Sequence, residues 1–140
     1  MDVFTYGTLQ VDAIWRRIAQ QPCTTVPGVA EGFRARRVCR ADYPAMTEQA
    51  GESVAGLVYC GVGEAALRRL DAFEGPQYIR RAIAVACADG QTRRCQAYLL
   101  AASRIDELSD EPWTLADFIG SDACQRFTQT YVGFDSCEDS

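Results

Sequence analysis

Two β-rich runs, residues 78–88 and 91–100, are separated only by Asp89-Gly90. This dipeptide is the strongest short-range hairpin signal in the chain, because Asp and Gly tolerate the positive φ angles of a tight two-residue turn. A hairpin pairs its two strands antiparallel, without the helical crossover that parallel strands need. The sequence therefore predicts a mixed, largely antiparallel α+β domain instead of a doubly wound sheet.

Hydrophobic spacing predicts the elements of the first half. Residues 3–6 are an unbroken run of β-branched and aromatic residues, which predicts a short buried strand that ends at Gly7. Apolar residues at helical spacing predict an amphipathic helix over residues 11–20. Residues 24–46 are interrupted by Pro and Gly and predict two or three short strands with a bend.

Two further helices are predicted from their boundary signals. A strand over residues 53–62 leads into a helix that opens at Gly63-Glu64 and closes at Gly75-Pro76. The last helix starts at Thr114, which has an acidic residue three positions on, as in a weak capping box. One face of this helix is predicted to carry Leu115, Phe118, Ile119, Ala123 and Phe127.

Length and composition indicate a single folding unit. A chain of 140 residues with 48% hydrophobic residues is the size of one ordinary globular domain. We expect this domain to span residues 1–135 and to be followed by an acidic tail, residues 136–140.

Charge and cysteine usage limit the partners and the compartment. The formal net charge is −5, which argues against nucleic acid as a partner. No basic and apolar leader opens the chain and no apolar run is long enough to span a bilayer, so the prediction is a cytoplasmic protein without membrane contact. The 7 cysteines form no C-x-x-C pair, which favours reduced and mostly buried thiols, with Cys137 in the tail expected to be exposed.

The absence of two residue types excludes several kinds of catalytic site. The chain has no histidine, which removes Ser-His-Asp and Cys-His triads and His-ligated zinc. All basic residues are arginines, so no P-loop lysine exists. Residues 61–66 fit a loose dinucleotide-binding pattern, but a hairpin follows them instead of another βαβ unit. A proton carrier in this chain would be a carboxylate, or with less support a Tyr or Cys.

The turn after the first strand is the first candidate site, Tyr6-Gly7-Thr8-Leu9. A glycine allows a sharp turn there, and successive N–H groups at a helix start form a concavity that binds anions. A carboxylate could bind at this position. The alternative is a plain connection in which Gly7 only relieves local strain.

Glu74 is the second candidate, at the predicted end of the second helix. The negative helix end disfavours an ionised carboxylate by about 0.3–1 kcal/mol. In a partly dry cleft beside Phe73 and Tyr78, this misfit would raise the pKa of Glu74 toward the value that a general acid/base needs. The alternative is a surface ion pair with Arg68, Arg69 or Arg80.

Four short motifs occur in order between residues 1 and 100. They are Val3-Phe4-Thr5-Tyr6-Gly7-Thr8-Leu9; Tyr43-Pro44-Ala45-Met46; Ala55-Gly56-Leu57-Val58-Tyr59; and Leu70-Asp71 to Glu74-Gly75 with Tyr78-Ile79-Arg80. In this order they resemble the γ-glutamylcyclotransferase-like family. The last third of the chain carries no matching motif.

The resemblance implies a compact β-barrel-like fold with flanking helices and a cavity at the end of the first strand. It implies that the turn at Tyr6, Gly7, Thr8 and Leu9 contacts a glutamyl group and that Glu74 is catalytic. Tyr78 and Tyr98 would line the cavity, although both could equally be packed strand aromatics.

The implied reaction is attack by the α-amine of a γ-glutamyl amide on its own γ-carbonyl, which yields 5-oxoproline and a free amine. Glu74 would be the general acid/base, with no metal and no cofactor, in a monomer or homodimer. One alternative is the removal of a γ-glutamyl cap from a specialised metabolite during its biosynthesis. Another is a non-catalytic small-molecule binding module, and a third is a protein-interaction domain.

Overall fold

Five strands close into a barrel in the order β1-β3-β2-β4-β5. The computed structural model describes residues 1–41 and 43–119. The strands are β1 (Asp2–Thr5), β2 (Thr25–Arg37), β3 (Pro44–Tyr59), β4 (Tyr78–Cys87) and β5 (Thr92–Leu100). The helices are α1 (Asp12–Ala19), α2 (Glu64–Glu74) and α3 (Leu115–Ile119), with 3-10 helices at Thr8–Gln10 and Ala102–Glu107.

The strand directions confirm the predicted α+β class with a largely antiparallel barrel. Every neighbouring pair is antiparallel except β1 and β5, which run parallel and close the barrel. The predicted hairpin is β4-β5, with Gly90 at a φ of 85° in its turn. Helices flank the barrel, as predicted.

The prediction of two or three short strands in residues 24–46 is wrong. The structure has one strand of 13 residues, β2, followed by β3, which begins at Pro44. Pro27 stays in the strand because its carbonyl accepts a hydrogen bond from the Ala88 N–H at 2.8 Å. Gly32 has a φ of 84° and lies where the β2-β3 register shifts, so it marks a bulge inside a continuous strand.

Successive side chains of β1 point to opposite faces and pack in two different parts of the core. Val3 packs in a cluster with residues of α1 and α2, called here the helical layer. Phe4 packs in a second cluster inside the barrel. In the helical layer the rings of Trp15 and Tyr59 stack with centroids 3.6 Å apart. Because both faces of β1 are covered, its position is fixed, and so is that of the turn that follows it.

Gly56 of β3 is required by the approach of β1. A Cβ at Gly56 would collide with the carbonyl oxygen of Thr5 and lie 2.8 Å from Cζ of Phe4. Only glycine lets the two strands pair this closely beside the end of β1.

The remaining predictions have mixed outcomes. Cys87 and Cys95 are buried, Cys39 is exposed, and the five cysteines of the described residues are free thiols. The Asp117 N–H donates to Oγ1 of Thr114 at 3.2 Å, as in the predicted cap. Of the residues predicted to share one face of the last helix, Phe118 is buried, whereas Ile119 is 55% exposed.

Several predictions fall on other residues. Ala123, Phe127, Cys137 and the tail at residues 136–140 lie outside the described residues. Within residues 1–41 and 43–119, no helix combines the length and apolarity needed to cross a bilayer.

Candidate functional site

A cavity of about 150 Å³ opens where β1 ends. The 6–9 turn, the start of β3, the end of α2 with its following loop, and β5 form its walls. All seven predicted site residues line this cavity. The described residues that line it are Phe4, Thr5, Tyr6, Gly7, Thr8, Leu9, Tyr43, Pro44, Phe73, Glu74, Gln77, Tyr78 and Tyr98.

The 6–9 turn lines the cavity and has backbone N–H groups without a partner in the described part of the chain. Two carbonyls of the turn accept backbone hydrogen bonds. Gln10 N–H donates to Gly7 O and Val11 N–H donates to Thr8 O, both at 3.1 Å. No hydrogen bond among the described residues uses the N–H of Gly7, Thr8 or Leu9. Because Gly7, Thr8 and Leu9 line the cavity, their N–H groups are candidates to bind an anionic oxygen there.

Close packing requires the glycine of this turn. A Cβ at Gly7 would lie 2.9 Å from Cδ of Pro44, which lines the same cavity. Any larger residue would push the 6–9 turn away from the start of β3, so Gly7 sets the width of the cavity.

Three tyrosines of the cavity brace its walls. The Tyr6 hydroxyl donates to the carbonyl of Tyr98 at 2.5 Å and accepts from the Met46 N–H at 3.0 Å. Tyr78 donates to the carbonyl of Pro44 at 2.8 Å, and Tyr98 donates to Oδ1 of Asp71 at 2.6 Å. Each phenol holds a neighbouring element, so the tyrosines fix the shape of the cavity.

The same tyrosines are poor proton carriers. Burial raises the pKa of the Tyr6, Tyr78 and Tyr98 phenols well above the usual value, and the nearby Glu74 adds to the rise. They stay protonated at neutral pH and serve as hydrogen-bond donors. The carboxylate remains the group that can exchange protons there.

Glu74 is the last residue of α2, and Gly75 ends the helix with a φ of 77°. The carboxylate makes no hydrogen bond or ion pair with any residue of the described part of the chain. Two of the arginines considered as partners are engaged elsewhere. Arg80 pairs with Asp71 at 2.9 Å, and Arg69 donates to the carbonyl of Ala19 at 3.0 Å. The surface ion pair considered as an alternative is therefore absent within residues 1–41 and 43–119.

The surroundings of Glu74 change its ionisation. Burial raises the pKa of its carboxyl to about 8, although the side chain is only half-buried and still faces the cavity. The C-terminal end of α2 acts in the same direction. Glu74 is thus largely protonated at neutral pH in the empty cavity, and it can both accept and release a proton near pH 8.

The charges of the cavity suit a ligand that carries both signs. Among the described residues that line it, Glu74 is the one formally charged side chain, and none of them is an arginine. An ammonium group would be attracted to the ionised form of Glu74, and an anion would be attracted to the N–H groups of the turn. A compact zwitterionic group matches this arrangement.

Other ligands have less support. No group of three or more Cys, Asp or Glu side chains in the described residues is arranged to hold a metal ion. The loose dinucleotide pattern at residues 61–66 lies at the β3-α2 connection, but the chain's own side chains occupy its donors. Gly61 N–H donates to Asp2 and Gly63 N–H donates to Gln21.

Sequence reasoning missed part of the lining. Tyr43 and Pro44 belong to one of the four motifs and Phe73 precedes Glu74, but none of the three was predicted as a site residue. Gln77 was not singled out at all, although it stands between Glu74 and Tyr78 in the motif. That position is the signal that could have identified it.

Known proteins match this chain over the region that contains the candidate site. A family model described as gamma-glutamyl cyclotransferase, AIG2-like, matches residues 3–115. Protein AIG2 C of Arabidopsis thaliana is 29% identical over 92 residues, which are 66% of this chain and 56% of that protein. This chain therefore spans little more than half the length of that relative.

Solved structures show the same fold. A solution structure of an Arabidopsis thaliana protein has a TM-score of 0.71 at 23% identity, covering 99% of this chain and 84% of that chain. A solved gamma-glutamyl cyclotransferase has a TM-score of 0.61 at 16% identity, covering 72% of this chain and 66% of that chain. At these identities the likeness establishes the fold and leaves the chemistry to be argued from the site.

Proposed function

Because this chain belongs to the gamma-glutamyl cyclotransferase, AIG2-like family, we propose that it cleaves a γ-glutamyl amide into 5-oxoproline and a free amine. Glu74 is the general acid/base of this reaction. The observation that carries the proposal is the unpaired Glu74 carboxylate, which shares one cavity with the N–H groups of the 6–9 turn.

The substrate supplies its own nucleophile. Glu74 takes a proton from the α-ammonium, and the free amine attacks the γ-carbonyl carbon to close a five-membered ring. Such an intramolecular attack has a high effective molarity, so no enzyme nucleophile is needed. This fits a chain without histidine.

The second half of the reaction uses the same carboxyl group. The tetrahedral intermediate collapses as its bond to the leaving nitrogen breaks, and Glu74 delivers its proton to that nitrogen. Glu74 relays one proton of the α-ammonium to the leaving nitrogen, and the ring nitrogen loses a second proton as the lactam forms. The products are therefore 5-oxoproline and either the protonated amine or the neutral amine with a proton released to the solvent. Turn N–H groups hold the α-carboxylate or stabilise the oxyanion.

The acidity of Glu74 suits both proton transfers. Its carboxyl has a pKa of about 8, and an α-ammonium group has a pKa of about 8 as well. Neither direction of transfer is strongly uphill, which is the condition for efficient general acid/base catalysis.

The size of the cavity is consistent with a glutamyl head group. A cavity of about 150 Å³ is comparable to the engineered cavity of about 150 Å³ that holds one benzene molecule. The cyclising part of the substrate fills such a space, and the leaving amine extends toward the solvent.

The test is to incubate the protein with γ-glutamyl amines, γ-glutamyl amino acids and glutathione while 5-oxoproline is measured. Glu74→Gln keeps the shape of the side chain but cannot carry the proton, so we expect kcat/KM to fall about 10²–10⁴-fold. The matched control is Glu64→Gln at the opposite, exposed end of α2, which should retain activity.

Two results would count against the proposal. Full activity of Glu74→Gln would remove the role of Glu74. Binding of the substrates without any 5-oxoproline would favour the non-catalytic binding module.

A further inference from the structure

Two connections lie side by side near the start of β1, away from the cavity at its end, and each contains a cysteine. Cys23 lies between α1 and β2, and Cys60 lies between β3 and α2. The N–H of Cys60 donates to the carbonyl of Thr24 at 2.9 Å. Nε2 of Gln21 donates to the carbonyl of Gly61, also at 2.9 Å. Residues on both sides of Cys23 are therefore bonded to the segment that begins at Cys60.

The backbone spacing of the two cysteines fits a disulfide. β2 and β3 pair Thr25 with Tyr59, and the bond from Cys60 to Thr24 continues this pairing by one position. Cys23 is then the diagonal neighbour of Cys60. Chains about 4.8 Å apart with a rise of about 3.3 Å per residue place diagonal Cα atoms about 6 Å apart. Disulfides join Cα atoms that are about 4.4–6.8 Å apart, so the backbone is already within range.

The two thiols are accessible and free to reorient. Both are half-buried free thiols, Cys23 packed against the helical layer and Cys60 against the cluster inside the barrel. Both cysteines lie outside the strands, where the alternation of side-chain directions is not imposed. Gly61 has a φ of 71° and turns the chain directly after Cys60. Rotation of the side chains can therefore bring the two sulfur atoms together.

The surroundings indicate which thiol reacts first. Burial raises the pKa of the Cys23 thiol, and the nearby Cys60 adds to the rise. Burial also raises the pKa of the Cys87 thiol and raises that of Cys95 to about 12. These three thiols stay protonated at neutral pH. The charge of Arg93 interacts with Cys60, and a neighbouring cation is typical of reactive cysteines.

We propose that Cys23 and Cys60 are a redox pair that a peroxide converts into a reversible disulfide. The Cys60 thiolate attacks one peroxide oxygen and the O–O bond breaks, which gives a sulfenic acid at Cys60 and a hydroxide ion. The Cys23 thiol then attacks the Cys60 sulfur, so that the S–S bond forms and water leaves. With hydrogen peroxide, the two thiols are oxidised, the peroxide is reduced, and their hydrogen atoms end in two water molecules.

The test treats the whole protein with an equimolar amount of hydrogen peroxide, alkylates the remaining thiols and digests the protein with trypsin without a reductant. Trypsin cuts after arginine and places Cys23 and Cys60 in separate peptides, residues 18–34 and 41–68. We expect these two peptides to be linked and the intact mass to fall by two hydrogen atoms before alkylation. A dithiol reductant should reverse both changes.

Three variants separate the roles of the cysteines. Cys23→Ser should leave Cys60 as a sulfenic acid that a cyclic diketone reagent traps. Cys60→Ser should leave Cys23 reduced under the same treatment. The matched control is Cys39→Ser, which removes an exposed thiol and should form the link to the same extent as the wild type.

A second measurement is urea unfolding of the oxidised and the reduced protein. The link restricts the unfolded chain, so the oxidised form should have the higher midpoint. An unchanged or lower midpoint would contradict a pair that the folded chain holds at bonding distance.

The peptide map can also overturn the assignment. Absence of the link, a link from Cys60 to Cys87 or Cys95 instead, or equal linkage in the urea-unfolded protein would each exclude the proposed pair. Neither Cys23 nor Cys60 is among the described residues that line the cavity. None of these results therefore bears on the proposed cyclotransferase reaction.

Discussion

Two carboxylates lie one turn apart on α2 and have opposite surroundings. Asp71 accepts hydrogen bonds at the same oxygen from Tyr98 at 2.6 Å and from Arg80 at 2.9 Å. Glu74 has no such partner among the described residues, and burial raises its pKa to about 8. One helix thus presents a satisfied carboxylate that braces the fold and an unsatisfied one that can exchange protons.

The difference shows that position, more than residue type, assigns the roles. Asp71 has an arginine and a phenol as hydrogen-bond partners, whereas Glu74 is buried without a partner in the described residues, which favours its neutral form. Asp71 also fixes Tyr98, whose backbone carbonyl in turn binds the Tyr6 hydroxyl. Asp71 therefore supports the wall of the cavity that contains Glu74.

The largest expected effect comes from moving the unsatisfied carboxylate. Glu74→Asp keeps the acid but withdraws it by one methylene, and we expect kcat/KM to fall about 10²-fold because proton transfer depends on position. Asp71→Asn should lower kcat/KM by less than about tenfold, since it only loosens Tyr98. Measured 5-oxoproline release that ranks the two variants in the reverse order would contradict the assigned roles.

The second expected effect is on the pH profile. Glu74 must be ionised to accept the first proton, so kcat/KM should fall about tenfold for each pH unit below a pKa of about 8. Asp71→Asn should keep this acidic limb, because burial, and not the charge of Asp71, raises the pKa of Glu74. A limb centred near pH 4.5, the ordinary value for a glutamate, would show that the cavity does not raise the pKa of Glu74.

Local backbone chemistry explains which elements were predictable. Asp89-Gly90 and the two glycines that bound α2 act on their immediate neighbours, and the hairpin and α2 appear at the predicted positions. The full length of β2 and β3 was not predicted, because each strand is stabilised by hydrogen bonds to the other and not by its own sequence. In addition, Gly32 forms a bulge that resembles a strand end in sequence.

The same distinction, between local signals and contacts that join distant segments, applies to the site. Glu74 could be singled out because an acidic residue at a helix end is a local misfit, and the 6–9 turn because glycine follows a buried strand. Gln77 and Tyr43 meet only because the start of β3 folds against the α2-β4 loop. A neutral side chain in a loop leaves no trace of such a contact in the sequence.

The remaining expected effect is on stability, and substitution of the two carboxylates should change it in opposite directions. A carboxyl whose pKa rises from 4.5 to about 8 on folding binds more protons in the folded state within that window. The free energy of unfolding of the wild type then falls as pH rises from about 4.5 to 8, by at most about 1.4 kcal/mol per pH unit.

Glu74→Gln removes this loss, so the variant should gain stability over the wild type progressively toward pH 8. Asp71→Asn should instead destabilise the protein by about 1–2 kcal/mol at pH 7, because Tyr98 and Arg80 lose a charged acceptor at a partly exposed site. Urea unfolding at pH 5, 6.5 and 8 measures both. A constant difference between Glu74→Gln and the wild type across these pH values would mean that the Glu74 carboxyl is no more buried than that of an ordinary surface glutamate.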